Sequence, residues 1–261
     1  MIRLMSSGVS GMINHQYRMD VIGNNISNEN TTGYKSSRAT FKDALYQAMG
    51  SGGSQQVGTG VDISDISNNF GQGTLEPTGR TLDVAIQGAG FFGVTDSSGK
   101  LKFTRDGSFF FDKDGFLRNS SGLNVVRPDG EPINVPELKD REKVQISETG
   151  LIYKVDVDPA TMEPIQTDLD QIGLFNFQNV SALTKTGDNL FLENDRTGER
   201  YSNEDGNDGF GTINSGYLEG SNLDIIEELA QLISTQRGYQ ANAKVFTTAD
   251  EVLQDIIQLK R

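Results

Sequence analysis

The 261-residue chain has no cysteine and no tryptophan, one histidine and six prolines. Without cysteine it can build neither a disulfide framework nor a thiolate metal site, and every cysteine-based mechanism is excluded. Its apolar runs fall far short of the ~18 residues that a membrane helix needs. The opening MIRLMSSGVSGM also lacks the ~7–15-residue apolar stretch of a cleavable signal. The sequence therefore predicts a chain that does not insert into a membrane and that would leave the cytoplasm, if it does, by another route. Basic residues are scarce as well: 23 Lys and Arg face 36 Asp and Glu, for a net charge of −13. The deficit lies in the middle, where residues 49–215 carry 14 basic against 26 acidic side chains. Nucleic acid is not expected as a partner, because its binding depends on Lys and Arg displacing counterions from phosphates.

The residues that break regular structure follow the same division. All six prolines lie between Pro77 and Pro164, and from Asn222 to Arg261 the only glycine is Gly238. Both ends are free to be helical. Met5, Val9, Met12, Gln16, Met19, Gly23 and Ile26 alternate four and three apart, with Ile22 beside them. Ile225, Leu229, Leu232, Gln236, Tyr239, Ala243, Phe246, Asp250, Leu253 and Ile257 repeat that spacing at the other end. It is the spacing of a helix seam. A second stripe, Ala241, Val245, Thr248, Val252, Ile256 and Leu259, runs alongside. One helix with two apolar stripes needs more than one neighbour, so the ends are expected to pair with each other and then with other copies. Gly8, Gly11 and Gly23 point the same way, since each interior glycine costs up to ~1 kcal/mol relative to alanine and something outside the helix must offset it.

The middle reads as β structure. TLDVAIQGAGFFGVTDSSGKLKFTRDGSFFFDKDGFLRNSSGLNVV (81–126) alternates short apolar runs with DSSG, DG, DKDG and SSG, as successive hairpins do. The expected organisation is α+β. A helical segment 1–48 leads into an extended Gly/Ser/Asn-rich connector 49–80, then a β-rich domain of hairpins 81–215, then a helical segment 216–261. The terminal helices are expected to pack together as a coiled-coil layer.

Several stretches together resemble one family. NNISNENTTGYKSSRATF, TGRTLDVAIQGAGFF, FTRDGSFFFDKDGFL and LEGSNLDIIEELAQLISTQRGYQANAKVFTTADEVLQ are similar, in order, to the signature blocks of bacterial flagellar axial proteins of the rod and hook. The resemblance covers nearly the whole chain. It implies export without cleavage through the flagellar type III apparatus, then stacking into a homo-oligomeric hollow helical tube. The terminal helices would line the inside, beside neighbouring rod, hook and ring proteins, outside the cytoplasmic membrane. The self-assembly seam would be Met5, Val9, Met12, Met19, Ile22, Ile26, Ile225, Leu229, Leu232, Gln236, Tyr239, Ala243, Phe246, Leu253 and Ile257. Asn25, Asn28, Thr32, Gly33, Tyr34 and Lys35 would form the turn motif that leads out of the first helix. Within the family the length leaves no room for a large additional hook domain, and LEGSN followed by EEL is closer to the distal-rod members; a short hook protein is the alternative.

No reaction chemistry stands against this reading. His15 falls on the N-terminal helix among small and polar residues, where no Ser/His/Asp constellation can form around it. DKDG (112–115) and NEDGNDG (203–209) do not complete a calcium loop with a Glu at position 12. The glycine-rich GSGG and GQG lack the Lys and Ser/Thr of a phosphate loop. The chain is therefore expected not to be an enzyme, and to use no cofactor or metal. The reading of another class is a secreted β-domain adhesin or glycan hydrolase on a helical stalk.

Overall fold

Two long helices bracket the chain in the computed structural model, which describes residues 2–48, 56–96, 98–136, 144–157, 164–203 and 209–259. Helix α1 is Ile2–Ser27 and helix α2 is Ile225–Leu259. At ~1.5 Å per residue they are roughly 39 and 52 Å long. The start of α2 is set locally. Asp224 Oδ1 accepts from the backbone N–H groups of Ile226 (2.9 Å) and Glu227 (3.3 Å), and Glu227 and Glu228 place negative charge in the first turn. α1 ends where Asn28 turns back, its Nδ2 donating to the Asn24 carbonyl at 2.9 Å.

The chain divides into two units. The first comprises Met1–Asn28, Ser36–Asn69 and Leu223–Arg261; the second comprises Glu29–Lys35 and Phe70–Asn222. In the first unit α1 and α2 run antiparallel, with Gly8 beside Val245, Gly11 beside Asn242, His15 beside Gly238 and Asn25 bonded to Glu228. A two-stranded ribbon packs on α1. Strand Ser37–Asp43 pairs antiparallel with Val61–Asn68, with a register shift between Thr40 and Phe41. Asn14 Nδ2 donates to the Val61 carbonyl at 2.7 Å, and the Asn25 amide both donates to and accepts from the Ser37 backbone.

Of the segment expected as an extended connector, residues 61–68 do run extended, but in this ribbon. Leu75–Pro77 pairs with Tyr217–Glu219 in the second unit, and residues 49–55 lie outside the described residues. The pairing left little trace in the sequence because a two-stranded ribbon buries so little: Ile66 is 48% exposed.

The second unit is antiparallel β throughout its named pairings. At the centre of a nine-stranded sheet, Phe91–Thr95 pairs with Leu101–Thr104 along one edge and with Asn124–Val125 and Leu174–Phe177 along the other. Successive side chains of a strand point to opposite faces, and here both faces are covered. Phe92 and Val94 join a core with Val84, Ile86, Phe109, Leu117 and Ile152. Phe91 joins a second core with Phe103, Phe175, Phe177 and Phe191, where the Phe103 and Phe177 rings meet edge to face at 4.7 Å. A three-stranded sheet, Val144–Ile146, Leu151–Val157 and Pro164–Gln171, completes the unit with the pair Val84–Gln87 and Thr212–Ser215. The chain is thus α+β, with helices at its ends and a β-rich middle.

Candidate assembly interface

Small and polar side chains take part in the contact between the two helices. A Cβ at Gly11 would stand 2.7 Å from Asn242 Nδ2, and one at Gly238 would stand 2.7 Å from the His15 ring. Arg18 Nη2 donates to Gln231 Oε1 at 3.3 Å, and Thr235 and Ala249 are each 2% exposed. Gly8 and Gly11 therefore have a use inside the subunit: they let α2 approach, and that contact offsets their helix-weakening cost. This corrects the expectation that they await neighbours. Gly23 differs, since nothing lies within 4 Å of the place its Cβ would take.

The expected seam residues sit beside this contact. Ile22 is buried; Met5, Met12, Met19 and Ile26 on α1 and Ile225, Leu232, Tyr239, Ala243, Phe246 and Leu253 on α2 are half-buried. Val9, Leu229, Gln236 and Ile257 are exposed, Leu229 to 44% and Ile257 to 66%. Along the second stripe Val245, Val252, Ile256 and Leu259 are exposed too.

His15 is one of the titratable groups inside the helix contact. Its ring lies 6.0 Å from Phe41, edge to face, and its Nδ1 is buried with no hydrogen-bond partner. Burial, then the charge of Arg18, holds the imidazole below its usual 6.5. The unfolded chain then takes up a proton before the folded one does, so stability is full above about pH 6.5 and declines as pH falls below it. Glu228 has the opposite sign. Burial raises its carboxyl above the ordinary 4.5, so its protonation at lower pH favours the packed state. Between pH 7.5 and 5.5 the helical circular-dichroism melt should therefore shift down, and in His15→Phe that shift should vanish. An unchanged shift in the variant would place the acid sensitivity elsewhere.

The turn motif belongs partly to each unit. Asn25 and Asn28 hold the end of α1, while Thr32, Gly33, Tyr34 and Lys35 are built into the second unit. Gly33 adopts φ +68°, in the left-handed region, and donates its N–H to the Glu219 carbonyl at 2.7 Å. Asn189 Nδ2 donates to the Thr32 carbonyl, and Lys185 Nζ lies 4.6 Å over the Tyr34 ring while donating to the Lys35 carbonyl. Burial lowers the Lys185 amine to about 8.

Lys35 leads into a buried ionic cluster. Its Nζ stands 2.6 Å from Glu219 Oε1, both side chains 0% exposed, and also donates to the Gly71 carbonyl. The same Oε1 accepts from Gln72 Nε2 and from the Gly73 N–H. Glu219 Oε2 accepts from Arg105 Nη1 at 3.1 Å, and Arg105 Nη2 reaches the Gly88 carbonyl. Burial depresses both the Lys35 and the Arg105 cations, and Glu219 opposes that depression. Lys35 was legible in the sequence only as part of the turn motif, and Glu219 and Arg105 were not legible as a site. They lie in the LEGSN and FTRDG stretches, but charged residues are almost never fully buried unless paired, and no local pattern announces a pair 184 residues apart.

Nothing in this arrangement is set for a reaction. Among the described residues no three carboxylate or imidazole groups come together as a metal site, and no helix is long and apolar enough to cross a membrane. DKDG serves as a turn, the Gly115 N–H returning to the Asp112 carbonyl, and residues 204–208 of NEDGNDG lie outside the described residues.

The chain combines paired end helices with a hairpin-built β middle, and comparison with known proteins places it in a class. Residues 5–35 match the family described as flagella basal body rod protein, residues 85–154 the flagellar hook protein FlgE/F/G D1 domain, and residues 214–259 the flagellar basal body rod FlgEFG protein C-terminal region. The chain is 39% identical to the flagellar basal-body rod protein FlgG of Bacillus subtilis (strain 168) and 37% identical to that of Borreliella burgdorferi, each across the whole of both chains. Its identity to the flagellar hook protein FlgE of Borreliella burgdorferi is 24%. The chain belongs to the FlgG family of flagellar basal-body rod proteins. It is a structural, non-enzymatic component of the flagellar axis, and neither the short hook protein nor the stalked adhesin or hydrolase has support.

Proposed function

We propose that the chain is the distal-rod subunit that carries motor torque outward, polymerised with its own copies into a helical tube. In that tube α1 and α2 form a coiled-coil inner layer, and the open apolar stripes meet the helices of adjacent subunits. The observation that carries this reading is the exposure of Leu229, Val252, Ile256 and Ile257 in the single chain. A large side chain of this kind contributes roughly 1.5–3 kcal/mol when fully buried, so a stripe of them favours assembly strongly. The expected seam residues and the turn motif Asn25, Asn28, Thr32, Gly33, Tyr34 and Lys35 act here as assembly determinants. Neighbouring rod, hook and ring proteins abut the tube, and the subunit reaches it by the flagellar type III apparatus with no cleaved signal, outside the cytoplasmic membrane. Electron microscopy of protein polymerised above its critical concentration tests the reading. A straight hollow tube is expected; a curved one, or no polymer from folded protein at any concentration, overturns it.

A further inference from the structure

The chain passes between its two units four times, at 28/29, 35/36, 69/70 and 222/223. Those crossings adjoin three short segments of the second unit, residues 29–35, 70–74 and 217–222, and the first two are bonded to Glu219, a residue of the third. The Gly33 N–H meets the Glu219 carbonyl, Lys35 Nζ and the Gly73 N–H meet Glu219 Oε1, and the Gly220 N–H meets the Thr74 carbonyl at 2.8 Å. The approach is close enough that a Cβ on Gly73 would stand 2.1 Å from the Gly220 carbonyl oxygen. Arg105 ties the same carboxylate to the sheet, its guanidinium 5.2 Å over the Phe91 ring.

We infer that Glu219 is a positioning residue for load transfer: one buried carboxylate gathers every segment through which force can pass along the chain between the two units. The inference rests on the rod reading for the source of the load, but the clamp itself is a property of the single chain. Its chemistry suits the task. Charge-assisted hydrogen bonds are roughly twice as strong as neutral ones, and burial shields them from water and salt. Two cations share one carboxylate, so removing the carboxylate leaves both buried and unpaired, whereas removing Lys35 leaves the Arg105 pair in place. Clamp and ordinary core stability are therefore separable by which partner is removed.

Amide hydrogen exchange on the full-length monomer tests this. In Glu219→Gln, protection of the Gly33, Gly73 and Gly220 amides should fall together by tenfold or more, while the Phe103 and Val94 amides in the central strands keep theirs. Lys35→Arg should retain most of the protection, and Lys35→Met combined with Glu219→Gln should recover part of what Glu219→Gln loses. Uniform loss across the sheet, or independent loss at the three segments, would overturn the clamp. In polymers, Glu219→Gln tubes should bend several-fold more easily than tubes of a core variant such as Val94→Ala matched to the same melting temperature. Equal stiffness of the matched pair would overturn the load-transfer role while leaving the rod assignment intact; failure of the unaltered protein to polymerise would count against the rod assignment and not against the clamp seen by exchange.

Discussion

Leu229→Glu should give a folded monomer that no longer polymerises. Leu229 is 44% exposed on α2, whereas Gln231, Gly238 and Asn242 of the same helix meet α1 directly. The single chain therefore loses little when a charge is placed there. In a tube whose inner layer buries that stripe, the same carboxylate would enter an apolar contact without a partner, at a cost of several kcal/mol per subunit. At ~1.4 kcal/mol per factor of ten, a loss of about 3 kcal/mol raises the critical concentration more than 100-fold. Leu232→Glu should act the same way with some loss of helix stability, because Leu232 is half-buried already. Sedimentation measures the polymer, and circular dichroism with urea unfolding follows the monomer. Normal polymerisation of both variants would remove this face from the assembly, and loss of the β signal would mean that helices and middle share one core.

Gly33→Ala should be the most damaging single-methyl change in the turn motif, and Gly79→Ala supplies its control. Both glycines have positive φ, +68° and +75°. At Gly79 nothing lies within 4 Å of the new methyl, so alanine there pays only the left-handed strain of roughly 1–2 kcal/mol. At Gly33 the methyl would stand 2.5 Å from the Asp106 backbone N and 2.7 Å from the Arg105 backbone carbon, neither of which has a rotamer to move aside. The strand end carrying Arg105 would have to shift, and with it the Arg105–Glu219 pair. A loss on the order of 3 kcal/mol or more is expected for Gly33→Ala, read as a lower urea midpoint of the second unit. Equal midpoints for the two variants would show that the close approach to Asp106 is not rigid.

The turn-forming breaks of the middle illustrate what is legible locally. Backbone bonds run from Gly99 to Asp96, from Gly115 to Asp112 and from Gly122 to Asn119, each at a break that carries its own turn residues. The four-three spacing of α2 is equally local, because periodicity is a property of one helix. Which stripe meets which partner is not. The sequence presents Gly8 and Gly11 as weak points, whereas packing sets both against α2.

By itself the sequence determined the helical ends and the hairpin-built middle, since each follows from residue types within a few positions of one another, and its ordered blocks carried the family. Only the tertiary structure decided that Val61–Asn68 folds back on Ser37–Asp43, that Gly11 and Gly238 lie against Asn242 and His15 of the facing helix, and that Lys35 and Arg105 share the buried carboxylate of Glu219. These depend on contacts between residues tens to hundreds of positions apart. Their energies come from burial and close approach, and a linear pattern records neither.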